Sequence, residues 1–217
     1  MSPRITKRRL FGIDRSGPAP TQTHSDQPLH PWTIPNAIGF ARLAGIPVFL
    51  ILALSSGDGH STVATILFAV IGWADYLDGF AARLTGQYSR LGALLDPIID
   101  RLLVVSGMVV CWHFSLLPRW AIALVVAREL FMLALSRYGL SRGIEVKINW
   151  VGRIGVAPTM GAPFFAMAGV RWLALIMLYV GLALALVSTV MYIRSGLRQA
   201  RKLGQGGPER SVPQRPS

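Results

Sequence analysis

Residues 62–112 read TVATILFAVIGWADYLDGFAARLTGQYSRLGALLDPIIDRLLVVSGMVVCW, two long apolar runs that carry Asp75, Asp78, Asp96 and Asp100 on either side of a short break at residues 85–90. Four of the chain's ten acidic residues therefore fall within 26 residues of hydrocarbon-rich sequence. An ionised carboxylate near a bilayer midplane costs roughly 3 kcal/mol or more, so four together demand compensation by metal ions, bound water or ligand. So short a connection predicts an antiparallel helical hairpin. Folding the sequence about it sets Asp78 opposite Asp96 and Asp75 opposite Asp100. Asp75 and Asp78, at i, i+3, share one helix face, and Asp96 and Asp100, at i, i+4, share one face of the next. At ~1.5 Å per residue, Asp75 and Asp100 lie roughly 13 Å in from their helix ends, with Asp78 and Asp96 nearer the loop.

The rest of the chain suits a membrane setting. Of 217 residues, 52% are apolar and only 15% charged, and the mean hydropathy is +0.47, too apolar for an ordinary soluble domain. Six windows reach the length needed to span hydrocarbon: 36–54, 62–84, 91–112, 119–138, 154–170 and 172–193. The fifth holds Gly155, Pro158, Gly161, Pro163 and Gly169, which a membrane helix tolerates when its neighbours re-satisfy the freed backbone groups. The expected fold is all-α, a polytopic bundle of six transmembrane helices.

Charge orients it. Assigning the loops in alternation puts seventeen Lys and Arg on the side of the two termini and the even loops, and only Arg119 and Arg171 on the other. By the positive-inside rule both termini, and the mouth of the acidic hairpin, face the cytoplasm. The formal charge of +12 is thus mostly topological, with attraction to anionic lipid secondary, and nucleic acid is not an expected partner. Residues 1–33 and 196–217 read as basic cytoplasmic tails, the first disordered or amphipathic and not a signal peptide, around a membrane domain over 34–195. Cys111, alone within the third window, reads as a packing residue.

Small residues fall beside three of the acids on the loop side: Gly79 one turn past Asp75, Ala82 one turn past Asp78, Gly92 one turn before Asp96. They make room for a ligand or let helices pack closely. So many oxygen donors suit a hard divalent cation, Mg²⁺ or Mn²⁺, and four carboxylates could hold two ions. Paired ions point to phosphoryl chemistry, for which Arg83 at the helix end offers a forked phosphate donor. Arg42 and Arg128 in the first and fourth spans, and Arg153 in the cytoplasmic fourth loop with Arg137, Arg142 and Lys147, are candidates for binding an acceptor phosphate. Structural pairing with an acid across the bundle is the plainer role for Arg101 and Arg128, with Glu129 the neighbour of Arg128, and is less compelling for Arg42, which follows Asn36 by six residues near the cytoplasmic start of its span and can face the acidic mouth.

The pattern D-x2-D-G-x2-A-R-x8-G-x3-D-x3-D, complete from Asp75 to Asp100, resembles the signature of the CDP-alcohol phosphotransferase family. The resemblance covers about residues 33–195. It implies that Asp75, Asp78, Asp96 and Asp100 ligate two divalent ions, that Gly79, Arg83 and the Ser89 region contact the CDP moiety, and that Asp100 also serves as general base. An acceptor hydroxyl then attacks the lipid-bearing phosphoryl group of CDP-diacylglycerol and CMP leaves. The family also implies a homodimer. Ile34-Pro35-Asn36 with Arg42, Leu94-Leu95-Asp96-Pro97, Ala127-Arg128-Glu129 and Trp150-Val151-Gly152-Arg153 look like bacterial phosphatidylglycerophosphate synthases and related cardiolipin synthases. The expected acceptor is glycerol 3-phosphate, ahead of phosphatidylglycerol and then inositol phosphate. One stretch departs from the synthase pattern: where a Lys-x-Lys-Thr-like run is expected stands Gly152-Arg153-Ile154-Gly155-Val156, leaving Arg153 without an obvious second cation. A proton-coupled transporter would instead show internal repeats and broken midplane helices, and a scaffold has no need of buried acids.

Overall fold

A computed structural model describes residues 33–87, 89–141 and 150–205. Among these the chain forms six helices and no strand: α1 (Ile34–Leu54), α2 (Thr62–Thr85), α3 (Arg90–His113), α4 (Arg119–Ser141), α5 (Trp150–Met167) and α6 (Arg171–Gln205). Each expected window coincides with one helix. The tails at 1–32 and 206–217, and Arg142 and Lys147 of the fourth loop, lie outside the described residues, as do the side chains of Arg90, Arg137 and Arg153.

Local chemistry accounts for the helix starts. Thr33, Ser61 and Ser89 are N-caps whose side chains accept from Asn36 N, Ala64 N and Gly92 N, satisfying donors that a first turn leaves open. Gly86, at φ +67°, ends α2 in the left-handed conformation that glycine adopts without penalty, and the chain turns back into α3.

α1, α2 and α6 as far as Leu197 are long and apolar enough to cross a membrane by length and composition. α3 and α4 carry more charge, and the apolar part of α5 (Ile154–Met167) is shorter. Large apolar side chains such as Val48, Ile51, Val63, Ile66, Trp73, Trp120 and Trp172 face outward. That surface suits lipid contact, and the protein is an all-helical, membrane-associated bundle.

Lipid chains are as apolar as leucine, so packing here rests on close approach and small residues. At Gly181 of α6 an added Cβ would stand 2.9 Å from the Thr159 hydroxyl and 3.0 Å from its backbone nitrogen. At Gly107 of α3 it would stand 2.8 Å from Phe68 and 2.9 Å from Pro163. α5 therefore runs unbroken through both prolines, pressed along α6 and against α3. Cys111 is fully buried in a core with Met108, Leu117, Ile122 and Leu178.

Two features differ from the expected picture. α6 continues as helix twelve residues beyond 193, taking in Gly204 and Gln205, because no proline interrupts it and Arg194, Arg198, Arg201 and Lys202 suit a helix C-terminus. More consequentially, α2 and α3 do not form the main interface of their own hairpin. α1 packs against both more extensively than they pack against each other. Its buried face is Asn36, Gly39, Arg42, Ile46, Phe49 and Ala53, a helical stripe in which the one charge is Arg42. Gly45 lets Ile71 of α2 come to 3.0 Å of a would-be Cβ, and Gly39 meets Ile99 of α3 at 3.8 Å.

Candidate functional site

The wedged position of α1 carries Arg42 in among the acids. Its Nη1 donates to Asp75 Oδ1 at 3.0 Å and to Asp78 Oδ2 at 2.8 Å, while Nη2 donates to Asp100 Oδ1 at 2.7 Å. The Nε proton goes to the Ile71 carbonyl oxygen at 3.1 Å, which fixes the plane of the guanidinium. Three carboxylates from two helices thus meet at one cation supplied by a third, in the short, charge-assisted geometry that makes such bonds strong. Asp96, one turn before Asp100, is near enough to interact electrostatically with Asp78, Asp75, Arg42 and Asp100. Asp75 and Asp100 are close enough for their charges to interact.

Burial is uneven. The side chain of Asp78 is 7% exposed and that of Arg42 1%, against 46% for Asp75 and 37% for Asp100. Position along the helix does not set this order. α1 covers Asp78, whereas the outer edges of Asp75 and Asp100 are open. A ligand would meet Asp75 and Asp100 before the buried Asp78.

The small residues prove to have individual neighbours. Arg83 folds back over Gly79, with Nη1 3.3 Å from where a Cβ would be, so this glycine gives room to a guanidinium. Ala82 is half-buried on the same helix. Ser89 is buried and doubly engaged: its hydroxyl donates to Asn36 Oδ1 at 2.7 Å and accepts from Gly92 N at 2.9 Å. Gln87 Oε1 accepts from Ile34 N at 3.1 Å, so the start of α1 is clipped to the α2–α3 turn at two points. Ser89 serves this junction, a role that a reading of Ser89 as a CDP contact did not anticipate. An added Cβ on Gly92 would lie 2.8 Å from Asn36 Oδ1 and 3.1 Å from Ser89 Oγ. Gly92→Ala should therefore force the clip apart and cost about 1–3 kcal/mol, seen as a thermal midpoint several degrees lower in detergent.

A second charged group joins α3, α4 and α6. Arg128 donates to Thr189 Oγ1 at 3.1 Å and is ion-paired to Glu129, while Arg101 Nε stands 3.7 Å from Glu129 Oε2 and its Nη1 donates to the Pro97 carbonyl at 2.8 Å. Two guanidiniums thus share one carboxylate. Of the three candidates for an acceptor phosphate, Arg42 is committed to the aspartates, Arg128 to Glu129 and Thr189, and the Arg153 side chain lies outside the described residues.

At the far end of the bundle, between the α1–α2, α3–α4 and α5–α6 turns, a cavity of about 710 Å³ is lined by Asp58, His60, Phe114, Met167 and Arg171 among others. His60 Nδ1 bonds the Met167 carbonyl there at 3.2 Å. This cavity holds none of the four aspartates.

Hard divalent ions prefer carboxylate oxygens, and the aspartate cluster offers such donors. Among the described residues no three His, Cys, Asp or Glu side chains stand in a ready metal-binding arrangement, because the aspartates are spread around the guanidinium of Arg42. The residue types fit a divalent ion.

Comparison with known proteins places this geometry in context. The family model described as CDP-alcohol phosphatidyltransferase matches residues 32–190. A cardiolipin synthase (CMP-forming) of Streptomyces coelicolor is 35% identical over 186 residues, which is 82% of this chain and 84% of that protein. A CDP-diacylglycerol–glycerol-3-phosphate 3-phosphatidyltransferase of Shigella flexneri is 31% identical over 77% of this chain and 92% of its own length. The enzyme of the same description from Bacillus subtilis is 32% identical over 57% of this chain and 70% of its own.

Proposed function

Because the chain belongs to the CDP-alcohol phosphatidyltransferase family, and so is a CDP-diacylglycerol-dependent phosphatidyltransferase, we propose that it transfers the phosphatidyl group to phosphatidylglycerol, forming cardiolipin and CMP. The acceptor expected from sequence, glycerol 3-phosphate, gives way on one observation above all. Of the arginines considered for an acceptor phosphate, Arg42 is engaged by three aspartates and Arg128 by Glu129 and Thr189, with Arg101 turned to the same Glu129. A phosphomonoester carries close to two negative charges at neutral pH and calls for paired, uncommitted cations. The accepting end of phosphatidylglycerol is an uncharged glycerol, and its phosphodiester bears only one charge. The likeness to the Streptomyces cardiolipin synthase, along more than four fifths of both chains, supports the same reading.

Family membership implies a divalent-metal-dependent reaction, and in this reading Asp75, Asp78, Asp96 and Asp100 hold two ions, Mg²⁺ or Mn²⁺. When bound, such ions neutralise phosphate oxygens and the charge developing on the departing CMP. Asp100, half-exposed on the open side of the cluster, accepts the proton of the acceptor hydroxyl. The hydroxyl oxygen bonds to the lipid-bearing phosphorus as the bond from that phosphorus to the CMP oxygen breaks. Arg83, lying over Gly79, holds the nucleotide diphosphate, with Ala82, Gly92 and the Ser89 region as the further contacts that the family resemblance implies. Six membrane crossings, with both termini and the open face of the cluster toward the cytoplasm, give the enzyme access to its nucleotide-bearing donor from inside the cell, and a homodimer is the expected assembly.

Purified protein supplied with CDP-diacylglycerol, Mg²⁺ or Mn²⁺ and one acceptor at a time tests this reading. Phosphatidylglycerol should be consumed, with cardiolipin and CMP appearing in equal amounts, while glycerol 3-phosphate and inositol phosphate remain. Consumption of glycerol 3-phosphate alone would reverse the acceptor assignment.

A further inference from the structure

We propose that Arg42 is a built-in counter-cation of the aspartate cluster, holding the carboxylates together when no divalent ion is bound and competing with such an ion for the same oxygens. This rests on the reading of the aspartates as metal ligands. Three observations carry it. First, Arg42 is buried and four N–H···O bonds orient it: three to Asp75, Asp78 and Asp100, one to the Ile71 carbonyl. A guanidinium meant for a substrate phosphate would direct free donors into an open cleft. Second, the bonded oxygens of Asp75 and Asp78 share a single Nη1, so the cation sits where a bridging ion's ligands would have to converge. Third, Asp75, Asp78 and Asp100, from two helices, all direct an oxygen at the one guanidinium, at 3.0, 2.8 and 2.7 Å.

Charge counting shows what such a cation does. Four ionised carboxylates with one guanidinium carry a net charge of about −3, and each divalent ion that enters meets both that attraction and the repulsion of Arg42. An entering ion weakens some of the guanidinium bonds. Once two ions are in place the set has an excess of about +1, which suits a diphosphate-bearing donor. Arg42 thereby lowers metal affinity while keeping the metal-free cluster folded.

Full-length wild type, Arg42→Gln and Arg42→Lys are compared in detergent by Mn²⁺ titration, with free ion followed by electron paramagnetic resonance, and by thermal unfolding in EDTA. Arg42→Gln should bind Mn²⁺ about tenfold or more tightly than wild type and melt at a lower temperature in EDTA, with a larger upward shift on adding Mn²⁺. Arg42→Lys, which keeps the charge, should stay near wild type in affinity. A merely structural arginine would lower affinity on replacement, so equal or weaker Mn²⁺ binding by Arg42→Gln overturns this inference alone. Absence of Mn²⁺ binding in every protein overturns it together with the metal reading. Should Arg42→Gln not fold, wild type labelled with ¹⁵N-arginine decides. Titration with Mg²⁺ should shift the buried guanidinium resonance that is missing from Arg42→Lys, and an unmoved resonance at saturating Mg²⁺ refutes the competition.

Discussion

Asp100→Asn is expected to cut CMP release from CDP-diacylglycerol by about two to four orders of magnitude, the usual contribution of a positioned general base. The amide keeps the size of the side chain and one acceptor oxygen for Arg42 Nη2, now 2.7 Å from Asp100 Oδ1, so the three-helix contact should survive. It cannot take a proton from the acceptor hydroxyl. Asp100 is 37% exposed while its partner in the cluster, Asp78, is 7% exposed, so of these two only Asp100 has an edge open to an incoming alcohol. Because the same residue is proposed as a metal ligand, the assay belongs at saturating Mg²⁺ or Mn²⁺, with ion binding measured on the same sample. A variant that releases CMP at more than a tenth of the wild-type rate, with ions bound, would remove Asp100 from the role of base.

Chelation with EDTA should abolish activity altogether, a fall of at least about three orders of magnitude, since several kcal/mol of charge stabilisation at the transferring phosphate would go with the ions. Mg²⁺ or Mn²⁺ added in excess should restore it. Helical content by circular dichroism should be unchanged by EDTA in the wild type, because Arg42 continues to neutralise part of the cluster. Activity that persists in EDTA would refute a metal-dependent phosphatidyl transfer.

The helices and the acidic constellation were legible in the sequence for simple reasons. Apolar runs of about twenty residues have few ways to satisfy their backbone in lipid, and fixed i, i+3 and i, i+4 spacings put Asp75 with Asp78 and Asp96 with Asp100 on shared faces. Less legible was what lies between those faces. A short loop forces α2 and α3 antiparallel but does not require them to touch, and α1 occupies much of the contact. A sign of this was present: Asn36, Gly39, Arg42 and Ile46 make one helical stripe in which a lone charge stands among small and apolar residues, and such a charge needs acids to meet. The structural part of Ser89 was not legible, because the cap it makes and its bond to Asn36, 53 residues away, show only in three dimensions. The acceptor was illegible for a related reason. Whether Arg128 is available to a phosphate depends on Thr189, Glu129 and Arg101, which come from three different helices.

The placement of Arg42 also bears on how the polypeptide is made. In the six-crossing reading, α1 would reach the bilayer ahead of α2 and α3, with an arginine whose insertion costs about 2.5–3.5 kcal/mol at a helix centre, before Asp75, Asp78 and Asp100 have left the ribosome. Its leucine- and isoleucine-rich flanks (IPNAIGFARLAGIPVFLILAL) can offset that cost but not neutralise the charge. α2 and α3 then arrive with the opposite charges, unsettled in their turn unless α1 is still beside them. Retention of α1 until these partners arrive is thus expected, and a ribosome stalled before α2 emerges should leave a nascent chain that chases poorly into lipid.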